Sequence, residues 1–399
     1  MRILFISQLF DPEYSIKGLG FLQEMQKRGF EVDVITTFPN YPTGKIFAGY
    51  KLKPWQIEMH GGVRVIRVFS YISHSRSKFS RALNYASFMI SAFLAAAIIR
   101  KPDVIYAYHP QLTTGLIAAV FKKLSGTPFI TDVQDLWPDA LAATGTQRKG
   151  LVYSAINKLC NFVYKAAARI VVLSDGYKRA LIDRGVSAEK IAVVYNWHAD
   201  ESVTIDGGEE RVLPQGFDHT FVYAGNLGAA QSLKNVISAF SRSAEKSVCL
   251  VVIGSGVEES ELTTHAHTIG AKNVFFLGYV SSREIKKYLS QADVLVVHLR
   301  DEPLFKITIP SKIQAYLSSQ KPILMAVGGE ANQIICDADA GVSAEPDNVL
   351  SIESAISELL SRRNEWEEMG RNGRRFYEAE MSRGRGVSKI VSVLKDLQN

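Results

Sequence analysis

Short runs of Val, Ile, Leu and Phe recur along this chain, separated by segments whose apolar residues return every three or four positions. RILFIS, EVDVITT, VRVIRV, DVIYAY, PFITDV, RIVVLS and IAVVYN read as buried strands in the first half. Between them, helices are predicted at Leu19 to Arg28, Ala82 to Ile99, Thr113 to Leu124, Tyr153 to Ala168 and Gly176 to Arg184. Continuous apolar strands alternating with helical segments indicate βαβ units and a parallel sheet. The polar, aperiodic stretch from Asn196 to Phe217 interrupts the pattern and reads as a linker. The alternation then starts again: TFVYAG, SVCLVVIG, NVFFLG, DVLVVHL and PILMAV are strands, and helices follow each.

The pattern predicts two Rossmann-like, doubly wound α/β domains facing each other across a cleft. The boundaries fall at 1–200, a linker at 201–216, a second domain at 217–375, and a helical 376–399 packing back on the first domain. A length of 399 residues suits two cores better than one. Ligands of such sheets bind beyond the carboxyl ends of the strands.

Charge is divided unevenly. Residues 1–200 carry 25 Lys and Arg against 14 Asp and Glu, a net +11, so the remainder of a chain of net +6 is acidic. The first half is therefore expected to face something anionic. The basic residues are not interleaved with stacking aromatics, so no nucleic-acid partner is expected. MRILFISQLF reads as a first strand and not as a signal peptide, which points to the cytoplasm. Cys160, Cys249 and Cys336 are far apart and form no CxxC, as in a reducing compartment. No histidine spacing suits a metal, and Asp337-Ala338-Asp339 falls in a loop between helix and strand; no metal or cofactor is expected.

Five segments could carry chemistry. FVYAGNLGAAQSLKNVISAF places Gly225 and Gly228 between a strand and a helix, where converging N–H groups and the helix dipole favour an anion. TIPSKIQAYL puts Lys312 in a first helical turn, a position that disfavours a cation unless an anion is bound there; Thr308 and Ser311 are possible caps. YAYHPQLTTG sets His109 at a strand's carboxyl end. DVQDLWPDA sets Asp135, Trp137 and Asp139 at the same level, where a carboxylate could orient a hydroxyl, orient His109 or cap the turn. Finally, Arg76, Lys78 and Arg81 lead into an uncharged stretch from Leu83 to Ile99 that includes Phe88 and Phe93. That stretch suits a helix lying in the interface of an anionic membrane, with a buried core helix as the alternative.

In order, ILFISQLFDPE, FPNYPTG, KPDVIYAYHP, DLWPDAL, NWHAD, YAGNLGAAQ, VVIGSGVE, VFFLGYVSSREI, ADVLVVHL and TIPSKIQAYLSSQKPIL resemble glycosyltransferase family 4, of the GT-B fold. The likeness is to bacterial enzymes of O-antigen and capsule synthesis that transfer an amino-deoxy sugar such as L-fucosamine. It implies a nucleotide-diphosphate sugar donor, UDP-linked, held by the second domain. It also implies a polyprenyl-diphosphate-linked acceptor, a peripheral position on the inner membrane face, and transfer with retention. The Arg and Lys that usually clamp the diphosphate fall at Asn226 and Gln231, and the EX7E pair at Ile307 and Ala315. The resemblance thus leaves Lys312, Ser311, the Gly225 and Gly228 amides and Lys306 to stabilise the leaving diphosphate, and His109 to touch the donor sugar. Gly18 and Gly20 would let phosphate and acceptor approach the backbone. An epimerase of the same fold and a non-catalytic binder remain as alternatives at this stage.

Overall fold

A computed structural model of the chain describes residues 1–41, 43–72, 77–140, 150–198, 211–243, 247–281 and 284–397. It divides into two compact units, one of Met1–Tyr195 with Gly386–Asn399 and the other of Asn196–Arg385.

In the first unit, the described strands are β1 (Arg2–Ile6), β2 (Glu31–Thr37), β3 (Trp55–His60), β4 (Val63–Val68), β5 (Val104–Ala107), β6 (Phe129–Val133), β7 (Arg169–Val172) and β8 (Ile191–Val193). They join in the order β3-β4-β2-β1-β5-β6-β7-β8. Pairing is parallel throughout except between β3 and β4. The chain works outward from β1 and then returns to its other side at β5, so the topological switch lies between these two strands. Helices α1 (Leu19–Lys27), α2 (Lys78–Ile98), α3 (Gln111–Ser125), α4 (Leu151–Ala166) and α5 (Asp175–Asp183) connect them.

The sequence pattern missed β3. Its alternation of Trp55, Ile57 and Met59 with Gln56, Glu58 and His60 is the period-2 signature of a strand with one exposed row. The tail also differs from the prediction. The first unit takes up the chain again at Gly386, not at 376, and Arg28 donates to Ser388 Oγ at 3.0 Å.

The second unit holds β9 (His219–Ala224), β10 (Val248–Ile253), β11 (Val274–Gly278), β12 (Val294–His298), β13 (Ile323–Ala326) and β14 (Gly341–Ser343). All described pairs are parallel, in the order β11-β10-β9-β12-β13-β14, with the switch between β9 and β12. Its helices are α6 (Leu233–Arg242), α7 (Glu259–Thr268), α8 (Ile285–Gln291), α9 (Pro303–Lys306), α10 (Lys312–Ser318), α11 (Glu330–Asp337), α12 (Val349–Ser361), α13 (Trp366–Phe376) and α14 (Arg383–Lys395), the last running into the first unit's residues. The fully buried Val, Leu and Phe side chains of β9, β10 and β12 meet the apolar face of α6. Most of the predicted linker, up to Glu210, lies outside the described residues. Leu213 beyond it is buried, and Val212 donates its N–H to Gln291 Oε1 at 2.9 Å.

Candidate active site

At the second unit's switch point the strands part. β9 pairs with β10 along its length but with β12 only at Phe221 and Val222. The N–H and C=O of Ala224, left beyond that ladder, are taken by one side chain from α10. Tyr316 Oη accepts from Ala224 N at 2.8 Å and donates to Ala224 O at 3.2 Å. Lys312 stands one helical turn before Tyr316 and so lies on the same face. Its Nζ sits 3.5 Å from the centroid of the Tyr223 ring. The residue is half-buried, but the nitrogen itself is buried and has no hydrogen-bond partner. Burial pushes its pKa well below the ordinary lysine value.

Gly225 makes room for this amine. Its φ of 151° disfavours any side chain, and a Cβ there would stand 2.8 Å from Lys312 Nζ. The turn continues through Asn226 to Gly228, then a single 3₁₀ turn at Ala229–Gln231. Gln231 Oε1 accepts from Gly228 N at 3.2 Å and from Asn226 Nδ2 at 3.1 Å. Two donors thus converge on one oxygen at the position where the pattern predicts an anion. The predicted helix, α6, begins at Leu233, after Ser232 in left-handed conformation at φ 45°.

Behind the turn, His298 at the end of β12 is fully buried. Its Nδ1 lies 2.7 Å from Gln231 O, and its Nε2 accepts from Asp347 N at 3.2 Å. That pattern requires the neutral ring, protonated at Nδ1, and burial lowers its pKa accordingly. Asp347 accepts in turn from Asp301 N and Asn235 Nδ2, each at 2.9 Å. Neither His298 nor Tyr316 was singled out from sequence. The rule that selected His109, a histidine at a strand's carboxyl end, would have found His298 in ADVLVVHL.

The remaining predicted donor residues stand differently. Lys306 Nζ is 2.9 Å from Asp301 Oδ1, so its charge is already engaged. Thr308 Oγ1 donates to Leu304 O at 2.8 Å. Ser311 is exposed and makes no side-chain cap, and α10 is only seven residues long. The expected anion-binding helix start at Ser311 is therefore corrected: the cation beside it is the buried feature.

In the first unit, His109 follows β5 and its carbonyl accepts from Gln8 N at 2.6 Å. Burial lowers its pKa to about 4, so the ring is neutral near pH 7. Asp135 is exposed in the turn after β6. The buried carboxylate of this segment is Asp132 instead. Its Oδ2 lies 2.7 Å from Lys17 Nζ, both side chains having no exposed area, and it also accepts from Tyr106 Oη at 2.5 Å. Gln134 Nε2 donates to its other oxygen at 2.5 Å. Asp139 is joined to Arg184 and accepts from Tyr153 Oη, which marks it as structural. Gly18 caps α1 and lies against Asp11, where a Cβ would clash with the Oδ2 that accepts from Leu19 N at 2.7 Å. Gly20 is in α1, not in the loop expected for it.

The predicted membrane residues divide. Arg76 lies outside the described residues, as does the Lys78 side chain. Phe88 is corrected: it is fully buried in the first unit's core, and Phe93 is half-buried. The exposed stripe of α2 is Phe79, Leu83, Ile90, Leu94 and Ile98, spaced to share one face. α2 is long and apolar enough to cross a membrane by length and composition.

A second apolar row is also exposed. Trp55, Ile57 and Met59 of edge strand β3 are each at least 60% exposed. Register carries their face across the sheet from Ile57 to Ile66, Ile35 and Ile6. Phe5 and Val34 point the other way, toward Phe21 of α1. Since α1 and α2 both pack on β2 and β4, the row lies on the α2 side. Between Lys45 and Lys101 the chain has a single acidic residue, Glu58, whose Oε1 is held 2.7 Å from Arg67 Nε.

Residues 19–197 match the glycosyl transferase 4-like domain, and residues 210–376 match glycosyl transferases group 1. The putative colanic acid biosynthesis glycosyl transferase WcaI of Escherichia coli K12 is 25% identical over 389 residues, covering 90% of this chain and 92% of that protein. The probable glycosyltransferase WbjE of Pseudomonas aeruginosa is 23% identical over 282 residues, covering 69% of this chain and 70% of its own. Among solved structures, sucrose-phosphate synthase from Thermosynechococcus elongatus has a TM-score of 0.73 at 15% identity, covering 99% of this chain and 98% of that one. HepE of Anabaena, in complex with UDP, has a TM-score of 0.69 at 15% identity and covers 99% of this chain and 100% of its own. At such identities these structures speak for the fold alone.

Proposed function

Because this chain is a family 4 glycosyltransferase of the GT-B fold using a nucleotide-sugar donor, we propose that it transfers an N-acetylated amino-deoxy hexose from a UDP-linked donor to a polyprenyl-diphosphate-linked acceptor. The observation that carries the donor half is Lys312. A buried, unpartnered amine beside a glycine turn has no structural use, and an arriving diphosphate would complete it. The choice of UDP is an analogy with a relative in fold: HepE structures hold UDP and UDP-glucose.

Transfer proceeds with retention. The acceptor hydroxyl oxygen bonds to the anomeric carbon on the face from which the sugar–phosphate bond breaks, and its proton passes to the departing phosphate oxygen. Lys312 and the Gly228 amide, once Gln231 Oε1 releases it, hold the charge that grows on the diphosphate; the Gly225 N–H is not available, being given to Ile253 O at 2.9 Å. Neutral His109 accepts or donates a hydrogen bond at the donor sugar, and Asp135 orients the acceptor hydroxyl. No role toward the donor remains for Gly20, and Lys306 acts through its pair with Asp301.

The acceptor half rests on the first unit's surface. The α2 stripe, the β3 row and a segment nearly devoid of acids suit an anionic bilayer, and on this reading the protein works at the inner face of the cell membrane. The test is transfer of label from UDP-N-acetyl-amino-deoxy sugars to a membrane extract. Label must enter an organic-soluble fraction that releases it on mild acid. Stabilisation by GDP- or dTDP-sugars and not by UDP-sugars in a thermal-shift panel would overturn the UDP assignment. Label recovered only as a water-soluble sugar would overturn the lipid acceptor.

A further inference from the structure

The environment of Lys312 differs from that of an ordinary phosphate-binding lysine, which waits in solvent already charged. The polar groups facing it are engaged elsewhere. From β9 comes the Tyr223 ring, whose hydroxyl donates to Asn226 O at 2.8 Å. From its own helix comes Tyr316, whose hydroxyl is taken by Ala224. From β12 comes His298, neutral between Gln231 and Asp347, its own protonation disfavoured by burial and by a charged Lys312. Among the described residues no carboxylate reaches ion-pair distance of the amine. An ammonium over an aromatic face gains about 2 kcal/mol when desolvated, whereas removing it from water costs several. Burial wins.

We propose that donor binding at this turn is coupled to proton uptake: the Lys312 amine is uncharged in the empty site and takes one proton from solution when the diphosphate arrives. This rests on the reading of the turn as the diphosphate site. The proton goes to Nζ, the donor keeps both of its negative charges, and no bond in the donor changes. The empty turn thereby avoids an unpaired buried cation, and the pair forms only with its anion. Apparent affinity falls as pH rises above the empty-site pKa of Lys312, by up to tenfold per pH unit, and levels off beyond the pKa of the occupied site.

The test is calorimetric titration with UDP at pH 8, where both its phosphates are already ionised, in buffers of low and high ionisation enthalpy. Wild-type protein is expected to show a heat that rises with buffer ionisation enthalpy, with a slope approaching one proton taken up. Lys312→Met should bind at least tenfold more weakly with a slope near zero. Lys312→Arg, charged at every pH used, should also show a slope near zero while keeping measurable binding. UDP binding without buffer dependence in wild-type protein would overturn the coupling and leave the donor reading standing. An unchanged slope in Lys312→Arg would place the proton elsewhere and overturn the assignment. Absence of wild-type binding to UDP, GDP and dTDP alike would overturn the donor site itself, and the coupling with it.

Discussion

Replacing Lys17 by methionine removes one half of an ion pair that has no contact with water. Asp132 keeps its bonds from Tyr106 and Gln134, but its charge stays buried without the cation 2.7 Å away. Leaving such a charge uncompensated costs about 3–5 kcal/mol. Against a total stability of about 5–15 kcal/mol, that is a large fraction of what holds the first unit together. For a unit of this size each kcal/mol shifts Tm by about 2–4 °C, so the variant should melt roughly 6–20 °C lower. Asp132→Asn should do the same, because the ammonium is then the orphan. The double variant Lys17→Met, Asp132→Asn leaves no buried charge, and the amide oxygen it introduces can still accept from Tyr106. It should be more stable than either single variant by about 2 kcal/mol or more, a coupling of opposite sign to simple addition. Urea titrations followed by far-UV circular dichroism, fitted as separate transitions for the two units, read this directly. If both single variants stay within about 1 kcal/mol of wild type, or if the double loses the sum of the singles, the pair is not the anchor inferred.

Lys312→Met should show the opposite stability effect. Replacing a buried unpartnered amine by an apolar side chain of similar length should raise the second unit's Tm by a few degrees, corresponding to about 1–3 kcal/mol, while donor binding falls; a lower Tm would contradict the geometry. Gln231→Ala opens the oxygen position that Gly228 N and Asn226 Nδ2 now share, so UDP should bind as tightly as in wild type or up to about tenfold tighter, one hydrogen bond being worth about 0.5–1.5 kcal/mol; a tenfold loss in titration calorimetry would make Gln231 a direct ligand instead. His109, with a pKa lowered from 6.5 to about 4, binds no proton in the fold while the unfolded chain does. Its neutral form therefore costs nothing above pH 6.5, and stability is lost as pH falls from 6.5 toward 4, by at most about 3 kcal/mol. His109→Gln should flatten that part of the stability profile measured by urea midpoint. Ile90→Glu with Leu94→Glu on α2 should weaken sedimentation with anionic vesicles by roughly 1–3 kcal/mol, whereas Phe88→Leu, inside the core, should change vesicle binding little and stability measurably; equal vesicle binding by the Glu pair would remove α2 from the membrane face.

The alternation of apolar runs located nearly every strand, because a strand buried on both faces has to be apolar throughout, as β5, β10 and β13 are. β3 escaped for the same reason: with one face open it alternates, and alternation over six residues is faint beside a continuous run. Helical periodicity found α2 but misjudged which face is wet. Phe88 and Ile90 are equally apolar in sequence, and only the sheet beneath decides that one is buried and the other exposed. Within the site, the glycine turn and Lys312 were legible because chemistry and element boundary coincide there. His298 was legible as a histidine at a strand's carboxyl end, but its partners were not, nor were Tyr316 and the Lys17–Asp132 pair. Each acts through a partner distant in sequence, and nothing local in VVHL, QAYL or SIKG announces Gln231, Ala224 or Asp132.

That difference bears on how the missing Arg and Lys are compensated. Sequence comparison suggests that Asn226 and Gln231 leave the turn electrically bare. The geometry suggests a change of strategy in which the charge moves from the turn's surface to a position beneath it. There it is silent until an anion enters, and Gln231 fills the anion position meanwhile. A surface Arg and Lys would attract any phosphate through solvent, with an affinity that collapses as salt rises. A buried amine gated by Gly225 is screened far less and responds only to an anion that reaches the turn itself. Donor affinity in this chain should therefore vary less with ionic strength, and more with pH, than in a relative that keeps both cations. Titration with UDP from about 50 mM to about 500 mM salt at fixed pH, a range over which the screening length shrinks severalfold, decides it: a steep loss with salt would mean that exposed charges, not Lys312, hold the diphosphate.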